Sequence, residues 1–183
     1  AKTAQYYREH FELPFLKHYL KDDVATDKPA GTATAESLEL AEANVFETGK
    51  NEWRQFDAWP PKEATEKTLY LHASGRLSFE PPAEEERESF DEYVSDPAKP
   101  VPYIGYVAQR RPVEYMTDDQ RFAASRPDVL VYQTDVLTED FTFAGPISVG
   151  LHIATTGTDS DFVVKLIDVY PEDVTNPDPN PAN

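Results

Sequence analysis

Ser74, in His72-Ala73-Ser74-Gly75-Arg76, is the nearest approach in this sequence to the Gly-x-Ser-x-Gly turn that exposes a nucleophilic serine. His72 and Arg76 stand where that motif needs glycine, so a turn serine is the better reading. The four histidines, His10, His18, His72 and His152, lie in no zinc-binding pattern such as His-Glu-x-x-His and read as structural. Asp159 and Asp161, in Thr158-Asp159-Ser160-Asp161, have the hard oxygen donors that a calcium ion takes. The glycine and closing glutamate of an EF-hand loop are missing, and a solvated turn is favoured there over a metal site. Asp22-Asp23 and Asp118-Asp119 have still less to recommend them. Trp53, Phe56 and Trp59 could form a stacking platform for a sugar, although large aromatics serve more often as core. From the residues alone, no cofactor is required and no catalytic constellation is complete.

The elements that would carry these groups are set by composition and period. A formal net charge of −17 over 183 residues disfavours nucleic acid and anionic membrane as partners, because both attract cationic surfaces. Ten Phe, ten Tyr and 39% hydrophobic residues are enough for one core. No apolar run approaches the roughly 18 residues of a membrane span, and no signal-peptide layout is seen, so a soluble chain is expected. The absence of cysteine excludes disulfides and thiolate chemistry.

From Thr3 to Leu20, Tyr6, Tyr7, Phe11, Phe15, Leu16, Tyr19 and Leu20 recur at helical spacing, with Pro14 predicting a kink or break near Leu13. Residues 23–40 read as a linker. After it the period changes to two, and strands are expected at 44–48, 68–72, 128–132, 147–153 and 162–170. The last of these and 128–132 are nearly continuous in apolar residues, as central strands covered on both faces would be. Strands without intervening helices predict a mainly β, antiparallel sandwich. Glu80 to Glu88 reads as an exposed acidic loop, and the Pro-rich tail 176–183 cannot pair in a sheet.

An ordered series of motifs carries a resemblance: Asp119-Gln120-Arg121-Phe122, then Arg126 to Leu137 (RPDVLVYQTDVL), Ala144-Gly145-Pro146-Ile147, and Thr155 to Pro171. With Phe46 to Arg54 and Phe56 to Pro61 upstream, it resembles the C-terminal jelly-roll domain of the X-Pro dipeptidyl-peptidase and cocaine esterase family of serine hydrolases. Within that family it looks most like α-amino acid ester hydrolases and glutaryl cephalosporin acylases. The helix at 1–22 resembles the last helix of the family's α/β-hydrolase domain, which makes 41–175 an incomplete jelly-roll sandwich.

The resemblance implies that the catalytic serine, aspartate and histidine lie before Ala1, that further strands follow Asn183, and that this chain alone is inactive. It implies as partners the catalytic domain of the same polypeptide, a small ester or amide substrate and a second copy in a homo-oligomer, with a periplasmic or secreted location. Its cleft-wall segment corresponds to Asp96 to Tyr115, with Tyr103, Gln109, Arg110 and Tyr115 as candidates to face substrate. The rival reading is an independent carbohydrate- or peptide-binding β-sandwich module.

Overall fold

The computed structural model describes residues 2–20, 40–86 and 89–172. The expected linker, save Leu40, and the Pro-rich tail lie outside the described residues. The chain divides into two units, Ala1–Thr65 with Thr142–Ser148 and Glu66–Phe141 with Val149–Asn183. Among the described residues no helix is long and apolar enough to cross a membrane.

In the first unit, α1 (Thr3–Tyr7) runs through a π-helical turn (Arg8–Glu12) into α2 (Leu13–Leu20). The N–H of Leu13 donates to Arg8 O, five residues back, so the ladder widens just before Pro14, which has no N–H to offer. The expected kink is thus realised as a π-bulge that keeps the helix continuous. Antiparallel β1 (Ala43–Glu47) and β2 (Glu52–Phe56) follow, with Phe46 opposite Trp53 and Val45 opposite Arg54. The loop between them returns the chain through Gly49 (φ 85°) and Asn51 (φ 58°), residue types that tolerate the left-handed region. Trp53 gathers the aromatics: Tyr6 stacks on it at 5.3 Å, Phe11 lies at 5.1 Å and Phe46 at 5.5 Å. Further along α2, Phe15 and Tyr19 touch each other at 4.7 Å and are 48% and 57% exposed.

In the second unit, antiparallel β3 (Tyr70–His72) and β4 (Arg76–Ser78) are joined by a tight turn over Ala73–Gly75. Ser74 (φ 61°) and Gly75 (φ 72°) both occupy the left-handed region, as a short hairpin loop requires. A Cβ on Gly75 would stand 2.7 Å from Val131 O, so the close passage of residues 131–133 also demands glycine here. Gln133 N–H donates to Gly75 O (2.8 Å), and its carbonyl accepts from Leu77 N–H (2.9 Å). Two 3-10 turns (Glu84–Glu86 and Glu114–Met116) and the short helix α3 (Arg121–Ala124) complete the described elements.

Two expected strands form, slightly shifted or shortened, and β2 and β4 are additions that sequence reading missed. Both are short, and β2 (Glu-Trp-Arg-Gln-Phe) has too few apolar residues to declare itself. The expected strands at 128–132, 147–153 and 162–170 are corrected: none pairs as a strand among the described residues. Just beyond the first, Gln133 makes a single isolated parallel bridge to Arg76. The other two hold β-branched residues in plenty but meet no partner edge, and Val163 and Val164 are 86% and 57% exposed rather than covered. Strand propensity is a fit to neighbours and realises nothing without them. What forms is antiparallel, with few helices.

Candidate functional site

The segment from Asp96 to Tyr115 starts in a turn that Asp96 builds for itself, its Oδ1 accepting from Ala98 N–H (2.9 Å) and its carbonyl from Lys99 N–H (2.9 Å). Beyond the turn, two attachments fasten the segment. Arg126 forks onto Asp128, Nε to Oδ1 at 2.8 Å and Nη2 to Oδ2 at 2.6 Å, and the same Nη2 donates to Lys99 O at 2.9 Å, across 27 residues of sequence. Six residues on from Lys99, Gly105 lies so close under the ring of Phe122 in α3 that an added Cβ would stand 3.1 Å from it. Between the two, Ile104 is the one buried hydrophobic residue among those described, 5% exposed. Its neighbour Tyr103 is left 49% exposed.

At the far end of the segment, Tyr115 meets Tyr103 edge to face, with ring centroids 6.1 Å apart. The guanidinium of Arg111 lies 5.1 Å over the Tyr115 ring, and its Nη2 donates to Tyr115 OH at 3.0 Å. The structure therefore joins two of the four sequence candidates, Tyr103 and Tyr115, and adds Arg111, which sequence reading passed over. Gln109 and Arg110 are exposed, and no contact described here ties them to the tyrosines. Tyr115 accepts from Arg111 and so has its own phenolic proton free to donate, which suits the cluster to a carbonyl or carboxylate oxygen.

The remaining candidates stand elsewhere in the structure. His72, 3% exposed, accepts at Nδ1 from Arg76, a donor-only guanidinium (3.3 Å). Its Nε2 therefore has the proton, which it offers to Glu80 O (3.0 Å) and Ser78 Oγ (2.9 Å). Ser74 sits in the turn described above. His10 Nδ1 lies 3.0 Å from Tyr6 O within the helix. Asp159 Oδ1 accepts from Ser160 N–H at 2.9 Å in an exposed turn, and Asp161 is exposed beside it. No group of three or more His, Asp or Glu placed to hold a metal occurs among the described residues. Trp53 is covered by the helix, whereas Trp59, against Phe56 at 5.9 Å, is 46% exposed.

Charge is managed by short-range pairs. The Arg126 fork holds the Asp128 carboxyl below its ordinary range, and Arg121 does the same for Asp119. Glu47 stands opposite Glu52 across the first hairpin, and the hydrogen bond from Arg54 (2.9 Å) lowers its pKa. Burial, followed by the hydrogen bond to Asp91 Oδ2 (2.7 Å), pushes the Tyr132 phenol up to about 12.

Residues 26–178 match the X-Pro dipeptidyl-peptidase C-terminal non-catalytic domain. The chain belongs to that family. It is 33% identical over 139 residues to cocaine esterase of Rhodococcus sp. (strain MB1 Bresler), a match that takes in 73% of this chain and 24% of that enzyme. It is also similar to the aminopeptidase of a marine sediment archaeon, Thaumarchaeota archaeon, with 43% identity and a TM-score of 0.59 over 75% of this chain and 21% of that one. The chain thus spans about a quarter of the length of these relatives. It is the C-terminal, non-catalytic part of the architecture found in X-Pro dipeptidyl-peptidase and cocaine-esterase-like hydrolases, as the motif series from Asp119 to Pro171 implied.

Proposed function

We propose that this domain belongs to a serine hydrolase acting on ester or amide bonds, in which it packs on the catalytic α/β-hydrolase domain of the same polypeptide and walls one side of its cleft. The observation that carries the reading is the family match over 26–178, together with likeness to an esterase and an aminopeptidase. The Tyr103–Tyr115–Arg111 cluster supplies the wall, presenting phenol and guanidinium donors to an acyl carbonyl or carboxylate. In the missing part, a serine activated by a histidine–aspartate pair attacks the carbonyl, and water or an amine takes the acyl group.

The jelly roll is part of the same proposal: the unpaired stretches at 147–153 and 162–170 become strands against neighbours from the rest of the polypeptide. The exposed Phe15–Tyr19 face of α2 is covered by the catalytic domain, to which the helix belongs. A substrate class close to that of α-amino acid ester hydrolases and acylases, a homo-oligomer and an extracytoplasmic location complete the reading, on the strength of the motif resemblance.

The experiment compares the chain alone with the full-length polypeptide, using a 4-nitrophenyl ester for turnover and a fluorophosphonate for active-site labelling. The chain alone is expected to show neither turnover nor label, and the full-length protein to take up one label per subunit. Stoichiometric labelling of any serine in the chain alone overturns the proposal.

A further inference from the structure

We infer that Arg126 is a positioning residue for substrate recognition, holding the Tyr103 wall in register through the carbonyl of Lys99. The inference rests on the cleft-wall reading above and adds to it the device that sets the wall's position. One nitrogen, Nη2, serves both Asp128 Oδ2 and Lys99 O, at 2.6 and 2.9 Å. The fork onto Asp128 fixes the guanidinium plane, because Nε is committed to the other carboxylate oxygen. With that plane fixed, the direction of Nη2 toward Lys99 is fixed as well. The arginine side chain is 29% exposed and its aspartate 14%, so the fork is partly sheltered, while the bond to Lys99 O lies at the surface.

Lys99 lies four residues before Tyr103, and two prolines, Pro100 and Pro102, stiffen the intervening backbone. The other attachment, Phe122 over Gly105, comes two residues after Tyr103 and from the same short stretch of chain, 121–128, that supplies Arg126. Tyr103 is thus suspended between two attachments to one short stretch of chain, with its neighbour Ile104 buried. A bond held by a forked arginine at one end and close packing at the other restrict where Tyr103 can stand, and substrate orientation depends on such restriction.

Lysine at 126 would keep the charge but is a point donor without the fork, unable to hold Asp128 and aim at Lys99 together. The test uses the full-length polypeptide, with a 4-nitrophenyl ester of an amino acid as substrate and rates referred to active sites titrated by fluorophosphonate, so that misfolded protein drops out of both constants. Arg126→Lys is expected to raise KM about tenfold, the worth of one well-placed hydrogen bond, with kcat per titrated site changed less than about twofold. Gly105→Ala displaces the other attachment and is expected to shift KM in the same sense. Should Arg126→Lys fail to fold, Gly105→Ala decides the matter alone. Tyr103→Ala reads the wall directly. If it raises KM while Arg126→Lys and Gly105→Ala leave KM unchanged, the positioning role is overturned and the wall stands. If none of the three moves KM, the wall reading falls and the inference with it. A loss in kcat per site at unchanged KM in Arg126→Lys also overturns the inference.

Discussion

The stretch from Asp96 to Gln133 and the stretch from Val149 to Tyr170 lie in the same unit and are comparably rich in apolar residues, yet they are held in different ways. The first is closed by contacts between residues near in sequence: Asp119 with Arg121, Arg126 with Asp128, Arg111 with Tyr115. A few longer reaches are added, from Arg126 to Lys99 and from Tyr132 to Asp91. In the second, Leu151, Ile153, Val164, Leu166 and Val169 are all at least 40% exposed, and a described polar tie to the rest of the unit is the one from Lys165 Nζ to Gln120 Oε1, 2.7 Å. Side-chain forks and Asx turns need only a few residues of chain to close. A strand needs a backbone edge supplied from elsewhere, and until that edge arrives its N–H and C=O groups stay with water.

The comparison is broken or sharpened first by a charge in the second stretch. In the chain alone, Val164→Asp is expected to leave thermal melting within about a degree or two of the parent, since the side chain is largely exposed. In the full-length polypeptide the same change should cost several kcal/mol, on the order of 3–5, by burying an unpaired charge in a completed sheet. Denaturant titration of both forms checks it. Equal tolerance in both would mean that this stretch never becomes a covered strand.

A smaller effect is expected at Ile104, whose truncation to alanine should cost about 3 kcal/mol, the usual range for a buried aliphatic being about 2–5. The loss should appear in the chain alone as well as in the full-length protein, because the contacts are already made. Chemical denaturation of the two forms gives the comparison. An effect confined to the full-length protein would place the first stretch in the same class as the second.

The smallest effect concerns pH. The Tyr132 phenol, pushed up to about 12 from an ordinary 10.0, keeps its proton in the folded chain where the unfolded chain has lost it. Stability should therefore be fully present below pH 10 and decline as pH rises toward 12. The carboxyls of Asp119 and Asp128, held low, act in the opposite sense: their contribution is present above the ordinary carboxylate range and is lost as pH falls through it. Melting curves from pH 8 to pH 12 on the parent and Tyr132→Phe test the alkaline limb, which the substitution should flatten.

How far the fold was legible follows the same division. The helix with its interruption before Pro14, the first strand of each hairpin and the turn at Ser74 were readable, because helical period, β-branched alternation and turn chemistry act over a few residues. The short second strands were not, since Glu52–Phe56 becomes a strand only through pairing with Ala43–Glu47. In the candidate site, Tyr103, Gln109, Arg110 and Tyr115 were nominated from the family resemblance, and the structure joins Tyr103 and Tyr115 and brings Arg111 to them. Which of two adjacent arginines turns toward a ring depends on backbone direction at that point, and residue type does not encode it.

By itself the sequence determined the acidic, cysteine-free character of the chain, its antiparallel tendency and its family, because composition, period and an ordered motif series are properties of the chain read along its length. Tertiary structure alone decided that Trp53 is covered by Tyr6 and Phe11, that His72 is spent on Arg76, Ser78 and Glu80, and that Arg126 reaches Lys99. Each of these is a meeting across a turn, a hairpin or 27 residues of chain, and the free energy of such a meeting depends on where the backbone has been brought rather than on which residues it carries.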